Sequence, residues 1–218
     1  MKHVGLMLGG PEDLWPDQLV SDIDAPITDW VGVDRGSLRL LQQDVVPVMA
    51  IGDYDSMVPA ERHRVEHAVK DMRYSVPEKD DTDSELALQA AFEDLRADEV
   101  SIFGATGGRL DHLLVNLWLM AEPRFKEYAP HVAIVDRQNL IRFFLPPAQL
   151  VFPRTEYKYV GFVNLTPVTD FTIRNAKYPL APFASDYPVS WASNEFLGDQ
   201  PIQITFSKGI IAAIYSKD

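Results

Sequence analysis

The sequence predicts an α/β N-terminal domain with a mostly parallel sheet, followed by a small all-β sandwich domain. Three observations carry this prediction. Over residues 1–136, short apolar runs alternate with helical patterns about five times, as a mostly parallel sheet with helices on both faces requires. Each run stops at a loop rich in Gly, Asp or Thr, so the polar clusters fall where such sheets bind ligands, beyond the carboxyl ends of the strands. Near residue 137 the style changes: 8 prolines fall in the last 82 residues, helical spacing disappears and short β-rich runs take over. The expected arrangement is a Rossmann-like three-layer unit over residues 1–137 and a β sandwich over 138–218.

The elements follow in order. Residues 3–8 form an apolar run stopped by Gly9-Gly10-Pro11, which suits a buried strand ending in a turn. Residues 30–33 repeat this before Asp34-Arg35-Gly36, and Leu38, Leu40 and Leu41 suggest a helix after it. Residues 45–51, interrupted by Pro47, lead into Gly52-Asp53-Tyr54-Asp55-Ser56. Pro59 opens a helix expected to run over residues 60–72. Thr82 or Asp83 caps another, with Leu86, Ala87, Ala90 and Ala91 on one face. A strand at 100–103 ends in Gly104-Ala105-Thr106-Gly107-Gly108, and Leu110, Leu113, Leu114, Leu117 and Met120 mark a strong helical pattern before a last strand at 132–135. Beyond it, residues 140–145, 148–152, 157–163, 171–173, 202–206 and 210–215 read as strands.

Composition narrows the function. The chain has 218 residues, 46% of them hydrophobic, which is ample for a buried core and too apolar for disorder. There is no cysteine, which excludes disulfides and thiolate chemistry and fits a reducing, cytoplasmic setting. No apolar run is long enough for a membrane span, and the first residues lack a signal-peptide pattern. The net charge of −12 argues against nucleic acid or an anionic membrane as partner. The acidity is concentrated: residues 1–136 hold 26 acids and 12 bases, residues 137–218 only 6 acids and 8 bases. Part of that excess serves solubility.

Four clusters carry chemistry. Asp53 and Asp55, at i and i+2 in a loop after a strand, suit a hard cation such as Mg²⁺, and equally suit a solvated turn. Asp34 lies at the same sheet edge, where an acid also commonly caps the next helix. In Lys79-Asp80-Asp81-Thr82-Asp83-Ser84-Glu85 the acids suit a helix N-terminus, but Lys79 among them suits a phosphate beside a metal. Gly104-Ala105-Thr106-Gly107-Gly108-Arg109-Leu110-Asp111-His112 is the sharpest signal. Glycine-rich backbone opening a helix presents N–H groups to phosphate, and Arg109 adds a charged contact. It lacks both the Gly-Lys-Ser/Thr ending of a P-loop and the glycine spacing of a dinucleotide fold. His112 reads first as a structural histidine, Asn116 as a core polar group, and Ser193-Asn194-Glu195 as a β-turn.

Taken together and in order, these clusters resemble the thiamine pyrophosphokinase family in its bacterial form. The matching residues are Leu8-Gly9-Gly10, Gly32-Val33-Asp34-Arg35-Gly36, Gly52 to Ser56, Lys79 to Leu88, Gly104 to His112 with Asn116, Lys177-Tyr178-Pro179-Leu180 and Ser193-Asn194-Glu195-Phe196. Arg35 and Ser37 stand where the family more often has Gly and Ala, and Tyr54 replaces the commoner Phe. The resemblance implies transfer of pyrophosphate from ATP to the hydroxyl of thiamine, giving thiamine diphosphate and AMP with Mg²⁺. It also implies a homodimer with thiamine held between subunits.

Carried onto this sequence, the resemblance implies Mg²⁺ on Asp34, Asp53, Asp55 and Asp83; one of these carboxylates would also take the hydroxyl proton, and Asp83 is the candidate we favour. Lys79 and Arg109 would neutralise phosphates, and Asp111 would orient Arg109 or bond the nucleotide. Further ligand contacts are implied at Gly9, Gly10, Gly36, Thr82, Thr106, Gly107, Gly108, His112 and Asn116. Ser193 and Asn194 would meet the thiamine pyrimidine, with Trp191 stacking on the cationic rings. Two other classes compete. A dehalogenase-like Mg²⁺ phosphatase needs Asp-x-Asp after the first strand, where this chain has Gly9-Gly10-Pro11. A sensor that binds thiamine diphosphate or nucleotide without turnover would have no need of intact metal acids.

Overall fold

In a computed structural model, residues 1–16, 19, 26–75 and 81–218 are described. They divide into two compact units, residues 1–119 with 131–137 and residues 120–130 with 138–218.

The first unit contains β1 (His3–Met7), β2 (Asp29–Val33), α1 (Arg35–Gln42), β3 (Met49–Gly52), α2 (Pro59–Ala68), β4 (Asp71–Tyr74), α3 (Asp83–Glu93), β5 (Glu99–Phe103), α4 (Leu110–Trp118) and β6 (Val132–Val135). Its strands pair in parallel in the order β6-β5-β1-β2-β3-β4. The inner strands are continuous apolar runs because both of their faces are covered; every residue of β1, β3 and β6 is buried. The chain works outward from β1 to β4 on one side and then returns to β5 on the other. The strand order therefore reverses between β1 and β5, which is where open α/β sheets form their ligand crevice.

Two expectations need correction. The helix expected over 60–72 ends at Ala68, and Val69 is already extended (φ −99°, ψ 127°). Asp71–Tyr74 then forms the edge strand β4, whose alternating charged residues tolerate the half-exposed position. The strand expected over 45–51 begins only at Met49, because Pro47 lacks the N–H for a ladder bond.

The second unit contains β7 (Asn139–Phe144), β8 (Ala148–Phe152), β9 (Tyr159–Asn164), β10 (Val168–Arg174), β11 (Leu180–Ser185), β12 (Ser190–Trp191), β13 (Ile202–Phe206) and β14 (Ile211–Ser216). They form two antiparallel sets, β12-β9-β14-β7 and β11-β10-β13-β8. β9 and β13 alternate buried and half-buried residues, the period-two pattern of a sheet with one covered face. The two sets meet through aromatic rings, Phe152 on Phe162 at 5.5 Å and Phe162 on Phe171 at 6.1 Å. β11 and β12 are absent from the apolar-run reading. β11 contains Pro182, and it lies at a sheet edge, where a missing donor is tolerated.

Candidate functional site

Among the described residues, the polar clusters that follow β1, β2, β3 and β5 sit at the carboxyl ends of those strands. The turn after β1 and the loop after β5 are joined directly. The Leu8 N–H donates to the Phe103 carbonyl (2.9 Å) and the Gly10 N–H to the Gly104 carbonyl (2.8 Å). A side chain at Gly10 would stand 2.3 Å from that same carbonyl, so the two turns come this close only because position 10 is glycine. Asn116 is buried on α4, and its amide donates to the Ala105 carbonyl (3.2 Å). Thr106 donates to the buried carboxylate of Asp136 at 2.7 Å. Asn116 thereby acts on the loop's backbone from inside the unit.

The acids are arranged by backbone geometry. Asp34 adopts φ 46°, a conformation costly for a residue with a side chain, and makes no side-chain cap on α1. This removes the capping explanation for Asp34. Its Oδ1 instead accepts from the Tyr54 N–H (3.4 Å), while its own N–H donates to the Ile51 carbonyl (2.8 Å). Gly52 leaves the room for this: a Cβ there would lie 1.8 Å from Asp34 Oδ1. Asp53 accepts from the Asp55 N–H at 3.0 Å, folding the loop so that Asp55 is exposed and Asp53 half-buried. Asp83 accepts from the Ser75 hydroxyl at 2.7 Å. The Tyr54 phenol is pushed up, by burial first and then by Asp34, Tyr74 and Asp83. Acids from the end of β2 and the start of α3 thus act on one buried ring. Among the described residues, no three His, Asp or Glu side chains already form a cation cage.

Arg109 and Asp111 form a two-pronged ion pair (3.1 and 2.5 Å), and that pairing holds the Asp111 carboxyl down to about 2. Both are exposed, as is His112, whose side chain is not packed in a core. Thr82 spends its hydroxyl on α3: it accepts from the Glu85 N–H (3.4 Å) and donates to Glu85 Oε2 (2.6 Å) in a capping box. Gly36 is buried at the start of α1, where a Cβ would meet the Met7 carbonyl at 1.9 Å. Lys79 lies outside the described residues. A cavity of about 220 Å³ lies beside β4 and α3, lined by Arg73, Ser75, Leu86 and Gln89 among others; no residue of the two glycine turns lines it.

In the second unit, Asn194 is only 2% exposed. Its Oδ1 accepts from the N–H groups of Tyr178 (2.9 Å) and Glu195 (3.0 Å), and its Nδ2 donates to the Tyr178 carbonyl (2.8 Å). This side chain clamps the Lys177-Tyr178 segment, and its neighbour Ser193, at φ 57°, is exposed. Trp191 packs against Phe171 (4.7 Å) and Phe183 (5.6 Å), leaving it only partly exposed for stacking on a ligand.

Sequence reasoning missed Asp136, Ser75 and Arg39. Asp136 had a usable signal, since it directly follows the 132–135 run at the same edge as the other clusters. Arg39 had none: it donates to the Gly10 carbonyl from an ordinary helix position.

The family description "Thiamin pyrophosphokinase, catalytic domain" matches residues 26–132, and "Thiamin pyrophosphokinase, vitamin B1 binding domain" matches residues 148–211. A curated protein of Bacillus subtilis named thiamine pyrophosphokinase is 34% identical, with all of both chains covered. The chain belongs to the thiamin pyrophosphokinase family. Solved structures of the family agree in shape. A thiamin pyrophosphokinase family protein from Enterococcus faecalis aligns at TM-score 0.89 with 39% identity, and the Bacillus subtilis enzyme at 0.82 with 34% identity, each over the full length of both chains. Among the described residues, no helix is long and apolar enough to cross a membrane.

Proposed function

We propose that this chain transfers the pyrophosphoryl group of ATP to the hydroxyl of thiamine, giving thiamine diphosphate and AMP in the cytoplasm. The observation that carries this reading is the direct joining of the Gly10 and Gly104 turns at the strand-order reversal, with Asp34, Asp53 and Asp55 on neighbouring loops of the same edge. Residues 1–137 act as a Rossmann-like, three-layer catalytic domain, and residues 138–218 as a β sandwich for thiamine binding and dimerisation.

The donor set suits Mg²⁺, because it consists of carboxylates only and that ion takes one or two of them beside substrate phosphates and water. Asp53 and Asp55 would hold it, with Asp34 and Asp83 as further ligands. When bound, it neutralises phosphate oxygens and aligns the transfer. The thiamine hydroxyl oxygen bonds to the β-phosphorus, the bond from that phosphorus to the bridging oxygen breaks, and AMP leaves with that oxygen. Asp83, set by Ser75, accepts the hydroxyl proton. Arg109, oriented by Asp111, and Lys79 balance phosphate charge. The Gly9-Gly10 and Thr106-Gly107-Gly108 backbones approach the nucleotide, with His112 at the rim, and Ser193 contacts thiamine.

A homodimer with thiamine at the subunit interface accounts for α4. Leu110 (75% exposed), Leu114, Val115 and Trp118 are exposed on this helix while Asn116 is its buried residue. Such an apolar face favours a second copy as its cover.

The test is to incubate the purified protein with ATP and Mg²⁺, with and without thiamine. Thiamine-dependent AMP, formed one-to-one with thiamine diphosphate, is expected. Release of inorganic phosphate, or of nothing, overturns the reading in favour of a phosphatase or a sensor.

A further inference from the structure

Helix α1 carries two arginines one turn apart, and each leaves the helix for a different loop. Arg35 Nη1 donates to the Ser56 carbonyl at 2.7 Å, and its Nη2 to Glu61 Oε1 at 3.0 Å. Glu61 Oε2 accepts from the Val58 N–H at 3.1 Å, in the first turn of α2. The far end of the Asp53-Tyr54-Asp55 loop is thereby tied to both helices. Arg39 Nη1 donates to the Gly10 carbonyl, its Nε lies 3.4 Å from Glu12 Oε1, and its guanidinium lies over the Trp15 ring at 5.7 Å. Gly10 is held from its other side by the N–H bond to Gly104. The Arg39 side chain is 15% exposed; Nη1 is on the Gly10 carbonyl, and the buried Nε faces Glu12 as an ion pair without a hydrogen-bond partner among the described residues.

Neither arginine is placed to be a simple phosphate ligand. Both grip backbone carbonyls of the loops that carry the site. Between them they fix the turn after β1 and the loop after β3, on either side of β2. A charge-assisted bond to a carbonyl is stronger and more directional than a neutral one, so two of them one helical turn apart resist independent movement of the loops.

We propose that Arg35 and Arg39 are positioning residues that make α1 a bracket between the glycine turn and the acid loop, Arg39 setting nucleotide affinity and Arg35 setting divalent-cation affinity. This rests on the reading that the glycine turn meets the nucleotide and the acid loop the cation.

The test uses the full chain with Arg39→Gln, Arg39→Lys and Arg35→Gln. Affinity for α,β-methylene-ATP in the presence of Mg²⁺ is read by calorimetry, Mn²⁺ binding without nucleotide by electron spin resonance, and folding by thermal melting. Arg39→Gln is expected to weaken the analogue about tenfold, the usual scale of one lost charge-assisted contact, while Mn²⁺ binding stays within about twofold. Arg35→Gln is expected to weaken Mn²⁺ several-fold. Arg39→Lys, which keeps one donor but not the second pairing, should weaken the analogue about threefold, and it answers the question should the Gln variant not fold. Wild-type affinities in folded variants, or equal losses of both ligands that track melting, overturn the bracket. Failure of the functional reading looks different: wild type forms no AMP, yet Arg39→Gln still loses the analogue.

Discussion

At the carboxyl edge of the first unit's sheet, Asp53, Asp55, Arg109 and Asp111 stand exposed or half-buried, and the backbone sets where they stand. In the second unit one polar residue of the motif, Asn194, turns inward, while Lys177 and Ser193 stay exposed. Asn194 is buried with its amide committed to Tyr178 and Glu195, and Asn164 does the same for Thr166, Tyr187 and Val189. The difference separates two tasks that a motif mixes. Charged groups left in reach of solvent remain able to meet a ligand. A buried amide with its bonds filled holds a turn in shape, since exchanging those bonds would leave buried N–H groups unpaired.

The largest effect that would sharpen this contrast is at Asp55. Asp55→Asn should leave melting within a few degrees and cut AMP formation at least ~100-fold, the scale of one lost electrostatic contact in a transition state. Near-normal turnover with unchanged Mg²⁺ dependence would remove Asp55 from the presenting class. Asn194→Ala comes next and should act oppositely, costing roughly 2–3 kcal/mol of stability by orphaning the Tyr178 and Glu195 N–H groups. Calorimetric melting checks it; an unchanged melt with a raised KM for thiamine would make Asn194 a ligand contact after all.

The smallest effect concerns a group that fits neither class. The Tyr54 ring is 1% exposed among Leu38, Leu41, Met57 and Val65, and its hydroxyl has no hydrogen-bond partner among the described residues. Tyr54→Phe removes that orphaned group and should be neutral or stabilising by about 1 kcal/mol, with turnover unchanged. A destabilised variant would mean that the hydroxyl has a task in the acid loop.

The strands of the first unit were legible because inner parallel strands are unbroken apolar runs, as at Val132–Val135. β4 was not, because an edge strand reading Asp-Met-Arg-Tyr has no such signature. β11 was hidden by Pro182. Within the site, the glycine turns and the acids could be placed at one sheet edge from their position after strands. The partners that hold them could not. Arg39 reaches Gly10 across 29 residues, and nothing local marks that contact. At Thr82, Asn116 and Asn194 the residue types suit ligands, and the structural bonds that these side chains also make could not be read from residue type. The Leu110 to Trp118 pattern correctly announced a helix, but periodicity does not say whether an apolar face is covered.

The joining of Gly10 to Gly104 has a consequence for how the protein comes into being. The two turns are 94 positions apart, so nothing local can bring them together. Closing a chain segment of that length costs about 4 kcal/mol in the simple loop-entropy treatment, before any contact across the seam forms. During synthesis β1 emerges early and must wait, with one edge unpaired, until β5 has left the ribosome. A chain stopped before β5 would carry most of the acids and half of the glycine cradle, and the seam between β1 and β5 would not yet exist.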